Sequence, residues 1–85
     1  MWGFDDADRR FLLEATAQMD ELHALVERGH PHVEIRGLWI VQASVAELDE
    51  MYSLVEALIG GTRSRKRLEL LDGLLASLCN SMDGF

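Results

Sequence analysis

The chain has 85 residues and a net charge of −7, from fifteen acidic against eight basic side chains. That length implies one domain, slightly above the size at which a single core is marginal, and a hydrophobic content of 48% can fill such a core. The acidity disfavours nucleic acid as the main partner, because phosphate binding needs a positive surface, and points instead to basic protein surfaces.

The first predicted element is a helix over about residues 5–28. Asp5 or Asp6 can cap its free N–H groups, and Asp8 in the first turn suits the positive end of the helix dipole. Its seam is Phe11, Ala15, Gln18, Leu22 and Leu25, widened by Leu12, Met19 and Val26. Gly29 offers a left-handed residue to close the helix, and Pro31 prevents its continuation.

The stretch from His32 to Val41 supports two readings. Val33, Ile35 and the run Leu38–Val41 have the β-branched character of a short strand, and Ser44 to Glu47 has the form of a capping box that would start a helix only at Ser44. Yet Leu38 and Val41 also open an apolar rhythm continued by Val45, Leu48, Tyr52, Val55 and Ile59, and a lone strand has no partner. The periodicity favours a middle helix over about 36–59. An extended arm before a shorter helix is the alternative.

Gly60 and Gly61 end that element, and Thr62 or Ser64 can cap a third helix over about 63–82 with the seam Leu68, Leu71, Leu75, Leu78 and Met82. Asp83, Gly84 and Phe85 resemble a glycine C-cap followed by an apolar residue. The expected fold is therefore all-α: a single domain formed by a three-helix up-down-up bundle with heptad-like seams. Ile40, Met51, Leu54 and Leu58 on the middle helix, with Leu70 and Leu74 on the third, lie off these seams. Such surplus apolar surface predicts a homodimer.

The sharpest local feature is Arg63, Arg65, Lys66 and Arg67, half of all basic residues, at a helix start where cations oppose the dipole. One reading is a docking site for a phosphate, an acidic peptide or RNA. The other, which is favoured, is pairing with Asp5, Asp6 and Asp8, since an up-down-up bundle puts both helix starts at one end. Trp39, among the small residues Ala43 and Ala46, is the expected interface anchor, because aromatic residues concentrate at binding hot spots.

No catalytic, cofactor or metal site is expected. His30 and His32, with Glu27 or Glu34, fall short of a recognisable ligand pattern, and Cys79 lacks a base in its helix and reads as an inert thiol. The carboxylates Glu47, Asp49, Glu50 and Glu56, with Asp20 and Glu21, form solvated edges without a pocket to desolvate them. Gly60 and Gly61 are not part of a phosphate loop, and no serine sits in a nucleophile elbow.

A single cysteine suits a reducing compartment. The acidic start from Met1 to Asp6 has no apolar core of signal-peptide length, so a cytoplasmic location is expected. Together these readings describe a small acidic non-enzymatic interaction module of the adaptor, chaperone or inhibitor type, acting through helix faces and dimerising. The alternative is a nucleic-acid-associated regulator that uses the cluster 63–67.

Overall fold

The computed structural model describes residues 1–83. Among them the chain forms strand β1 (Trp2–Asp5), helices α1 (Asp6–Ala15) and α2 (Asp20–Glu27), strands β2 (His30–Pro31) and β3 (Leu38–Val41), and helices α3 (Val45–Gly61) and α4 (Arg65–Asp83). The all-α three-helix bundle is thus overturned: four helices accompany a three-stranded antiparallel sheet. By its internal contacts the chain divides into two compact units, Met1–Ala43 and Ser44–Phe85.

In the first unit β3 lies at the centre of the sheet, in the order β1-β3-β2. Trp2 pairs with Val41 and Phe4 with Trp39 on one side; His30 pairs with Ile40 and Pro31 with Trp39 on the other. Opposite residues of antiparallel strands project to one face, so Trp2, Phe4, Trp39 and Val41 share a face. Trp2, Phe4 and Val41 are buried there, and the rings of Trp2 and Phe4 meet edge to face at 4.8 Å. The N–H of His32 donates to the carbonyl of Leu38 at 2.8 Å, which makes alternate pairs the hydrogen-bonded ones. Pro31 therefore falls where a strand N–H would point off the sheet edge, and its missing donor costs no ladder bond.

Residues 38–41 are strand rather than helix because both objections raised by the periodicity fail. The missing partner is the N-terminal Trp2-Gly-Phe-Asp, whose large residues alternate with period two. The capping box also operates: the Glu47 N–H donates to Ser44 Oγ at 3.2 Å, and the Ser44 N–H to Glu47 Oε1 at 3.0 Å. This starts α3 at Val45 instead of residue 36.

The expected first helix is two helices. Asp5 is strand residue and N-cap at once, its Oδ1 accepting the Asp8 N–H at 2.8 Å. The helix then stops at Ala15, where the fully buried Thr16 donates both its N–H and its hydroxyl to the Leu12 carbonyl, at 2.9 and 2.7 Å. Gln18, the polar residue in the expected seam, lies in the exposed break. Leu12, Leu25 and Val26 are the core positions, while Phe11, Ala15 and Leu22 are half-buried. Gly29 does not adopt the left-handed conformation; among the described residues Gly37 alone does, with φ of 84°. Gly29 instead permits close approach, since a Cβ there would lie 3.2 Å from the Val26 carbonyl oxygen and 3.4 Å from that of Ile40.

In the second unit α3 and α4 pack against each other across the short link 62–64. The buried residues are Leu48, Met51 and Val55 on α3, with Leu71, Leu74 and Leu78 on α4. Met51 and Leu74 replace the expected seam residues Tyr52 and Leu75, which are half-buried. Ser64, not Thr62, caps α4, its Oγ accepting the Arg67 N–H at 3.4 Å. The C-cap expected at Gly84 and Phe85 falls outside the described residues.

Leu48 is fully buried, so Leu48→Asp places an unpaired charge in a close-packed interior at a cost of several kcal/mol. Circular dichroism and denaturant titration should show loss of cooperative folding.

Candidate partner-binding site

Three places present side chains of the kind that recognise another molecule. The first is the connection between β2 and β3. It closes through the His32–Leu38 bond and through a 3.3 Å bond from the Leu38 N–H to the Ile35 carbonyl. Inside it, His32 Nδ1 accepts the N–H groups of Glu34 and Ile35 at 3.0 and 3.1 Å. Gly37 supplies the left-handed residue that lets the chain re-enter β3. The loop so ordered holds Val33 98% exposed and Ile35 54% exposed.

The second place is around Trp39. Its indole Nε1 donates to Asp6 Oδ1, and the Arg9 guanidinium lies 4.1 Å from the ring centroid. Stacking of this kind contributes roughly 0.5–2 kcal/mol, more as the pair is desolvated. It also bears on Arg9 Nε, which is buried and has no hydrogen-bond partner among the described residues. The expected anchor is therefore half-buried in the central strand, with one ring face and its polar atom engaged by α1.

The third is the cluster at the start of α4. Arg63, Arg65, Lys66 and Arg67 are all exposed. The up-down-up bundle that would have set them beside Asp5, Asp6 and Asp8 is absent. Two of those carboxylates have tasks inside the first unit: Asp5 caps α1 and Asp6 holds the Trp39 indole. The third, Asp8, is held above its ordinary value of 3.8, chiefly by burial and then by the charge of Asp5.

The histidines fall in separate settings. His23 Nδ1 lies 3.2 Å from Thr16 Oγ1, which ties α2 to the end of α1, and its Nε2 lies 2.5 Å from Glu27 Oε1 within α2. His30 is exposed on β2, and His32 Nδ1 is occupied by the loop backbone. Among the described residues no three His, Cys, Asp or Glu side chains group so as to hold a metal ion. Cys79 is half-buried beside Tyr52, whose hydroxyl is pushed above its usual range first by the Cys79 charge and then by that of Glu56. No helix among the described residues is long and apolar enough to cross a membrane.

The sequence names Trp39, which its periodicity sets on a helix, and the cluster 63–67 as site residues; Trp39 lies instead on strand β3, and the loop carrying Val33 and Ile35 is not among the site residues so named. The available signal was Gly37 between two β-branched segments.

A scan against protein-family models, a search of curated proteins and a search of solved structures each found no match.

Asp8 gives a pH-dependent prediction. Its carboxyl is raised in the folded state, so the fold binds that proton more tightly than the unfolded chain does. Its contribution is favourable at low pH and is lost as pH rises from about 3.8 through the raised value. At neutral pH the ionised group opposes folding. Asp8→Asn should therefore be modestly more stable than the parent at pH 7, with the advantage shrinking toward pH 4, as read by urea denaturation at both.

Proposed function

We propose that this chain is a small, acidic, non-enzymatic interaction module whose partner is another protein, docked through the loop between β2 and β3. The observation that carries the reading is the display of Val33 and Ile35 on a hydrogen-bonded loop. A single exposed apolar residue is ordinary on any surface. Two β-branched ones on an ordered turn are different, because their backbone is already fixed and little conformational entropy remains to be lost on binding. Binding residues also concentrate on loops held by a rigid scaffold, and here the scaffold is the sheet. The partner suited to this loop has an apolar pocket for the two side chains and a basic rim attracted by the net charge of −7.

The same reading includes self-association. Leu54, Leu58 and Ile59 on α3 and Leu70 on α4 are only half-buried, and a two-fold dimer is the ordinary way to cover such surface. Affinity capture followed by titration with the captured protein tests the loop. Val33→Asp combined with Ile35→Asp should keep the parent's helicity, since exposed substitutions shift stability by about 0.5 kcal/mol or less. It should weaken the partner at least about tenfold, the equivalent of about 1.4 kcal/mol. Unchanged affinity would remove the loop from the interface. Light scattering on the same samples should give the mass of a dimer.

The exposure of all four cations at the start of α4 favours a second reading, a nucleic-acid-associated regulator. Replacement of Arg63, Arg65, Lys66 and Arg67 by glutamine separates the two. Removing cations from a helix start returns about 0.3–1 kcal/mol each, and any exposed pairs lost are worth about as much. The variant should fold with near-parental stability and keep its protein partner. Under the second reading the parent binds duplex or RNA with a steep salt dependence that the variant lacks.

A further inference from the structure

The loop between β2 and β3 is held by an imidazole, whose hydrogen-bonding character reverses when it gains a proton. A neutral imidazole has one nitrogen that donates and one that accepts. Because His32 Nδ1 receives the N–H groups of both Glu34 and Ile35, at 3.0 and 3.1 Å, its ring proton must be on Nε2. Protonation would put a third N–H into the space where two already converge, and a donor cannot satisfy donors. Both bonds must break together. Histidine is the side chain that ordinarily makes this change between about pH 5 and 8.

We propose that His32 is a pH-sensitive latch: its neutral ring holds the 33–37 loop in the shape that displays Val33 and Ile35, and its protonation releases that loop. The rest of the hairpin stays in place, because the His32 N–H bond to the Leu38 carbonyl and the β2–β3 pairing involve no imidazole atom. Release is therefore local. Gly37, the loop's left-handed residue, is the natural pivot.

Other charged groups surround the latch. Glu34 and Arg36 belong to the loop and His30 to β2, while β3 carries no titratable side chain. From the β1–α1 junction, Asp5 pairs with Leu38, the residue bonded to His32, and its carboxylate is engaged as the α1 cap. Asp6 comes nearest to the loop's end, its Oδ2 lying 3.9 Å from the position a Cβ would take on Gly37. These carboxylates are distinguished from the imidazole by the variant His32→Asn, which leaves every one of them in place. His30 is distinguished by substitution. The consequence for partner binding rests on the proposed function, but the latch itself is read without a partner.

The test is a nuclear magnetic resonance titration of the full chain between pH 4.5 and 8 (about the span over which histidine changes charge). Imidazole nitrogen shifts should identify His32 as the Nε2-protonated tautomer at high pH. The Glu34 and Ile35 amide resonances should move with the same midpoint as the His32 ring, and their hydrogen exchange, corrected for intrinsic pH dependence, should quicken about tenfold below it. His32→Asn retains a side-chain acceptor that can bond the backbone two residues on, as in an Asx-turn, but has no proton to gain. Its Glu34 amide should stay protected across the range, and His30→Asn should leave the parental titration intact. Amides of Glu34 and Ile35 that ignore the His32 titration, or that follow it equally well in His32→Asn, would overturn the latch. An Nδ1-protonated ring at high pH would do so in the parent protein alone.

Discussion

The first unit depends on strand β3 being hydrogen-bonded along both edges. Four residues of extended chain have too little contact to be stable alone, and even a two-stranded hairpin is marginal in water. With β2 on one side and β1 on the other, Leu38–Val41 becomes the central strand of a sheet with one deeply buried face. Pairing with β1 brings the chain's second residue beside its forty-first, and the intervening helices α1 and α2 are thereby closed into a loop around the sheet. Loop closure over that distance is entropically costly but grows only slowly with length, and burial of Trp2, Phe4 and Val41 offsets it.

The second unit follows a simpler rule. Ser44 and Ser64 each use a hydroxyl to accept an N–H in the first turn of the following helix, so α3 and α4 start where their caps place them. Their lengths are similar and the link is short, so they form a hairpin whose contact stripe is Leu48, Met51, Val55, Leu71, Leu74 and Leu78. The stripe keeps the three–four spacing but in the other phase, with Met51 and Leu74 in place of Tyr52 and Leu75, because a helix packing against one neighbour buries the residues that face it.

The scaffold orders the 33–37 loop without covering it. The sheet anchors both ends, His32 ties the middle, and Val33 and Ile35 are left outward. Trp39 illustrates the opposite outcome. Its ring is used internally, stacked by Arg9 and held by Asp6, and it joins strand to helix instead of projecting from the surface.

Much was legible in the residues themselves. Capping chemistry is local, so Asp5 and Ser64 are each one of two candidate caps in the sequence, while the Ser44 capping box is legible there but yields to the apolar periodicity in the favoured reading. Leu48, Val55, Leu71 and Leu78 could be assigned to a core because apolar spacing on a helix is also local. What only the tertiary structure decided was the state of Leu38–Val41, whose apolar residues suit a helix seam and a central strand equally well. The choice rested on a partner strand far away in the chain, and no local pattern encodes a contact at that separation. The internal role of Trp39 goes with that pairing, which sets β3 beside β1 and the start of α1. The pairing determines which faces are covered, and burial is a property of the assembled chain.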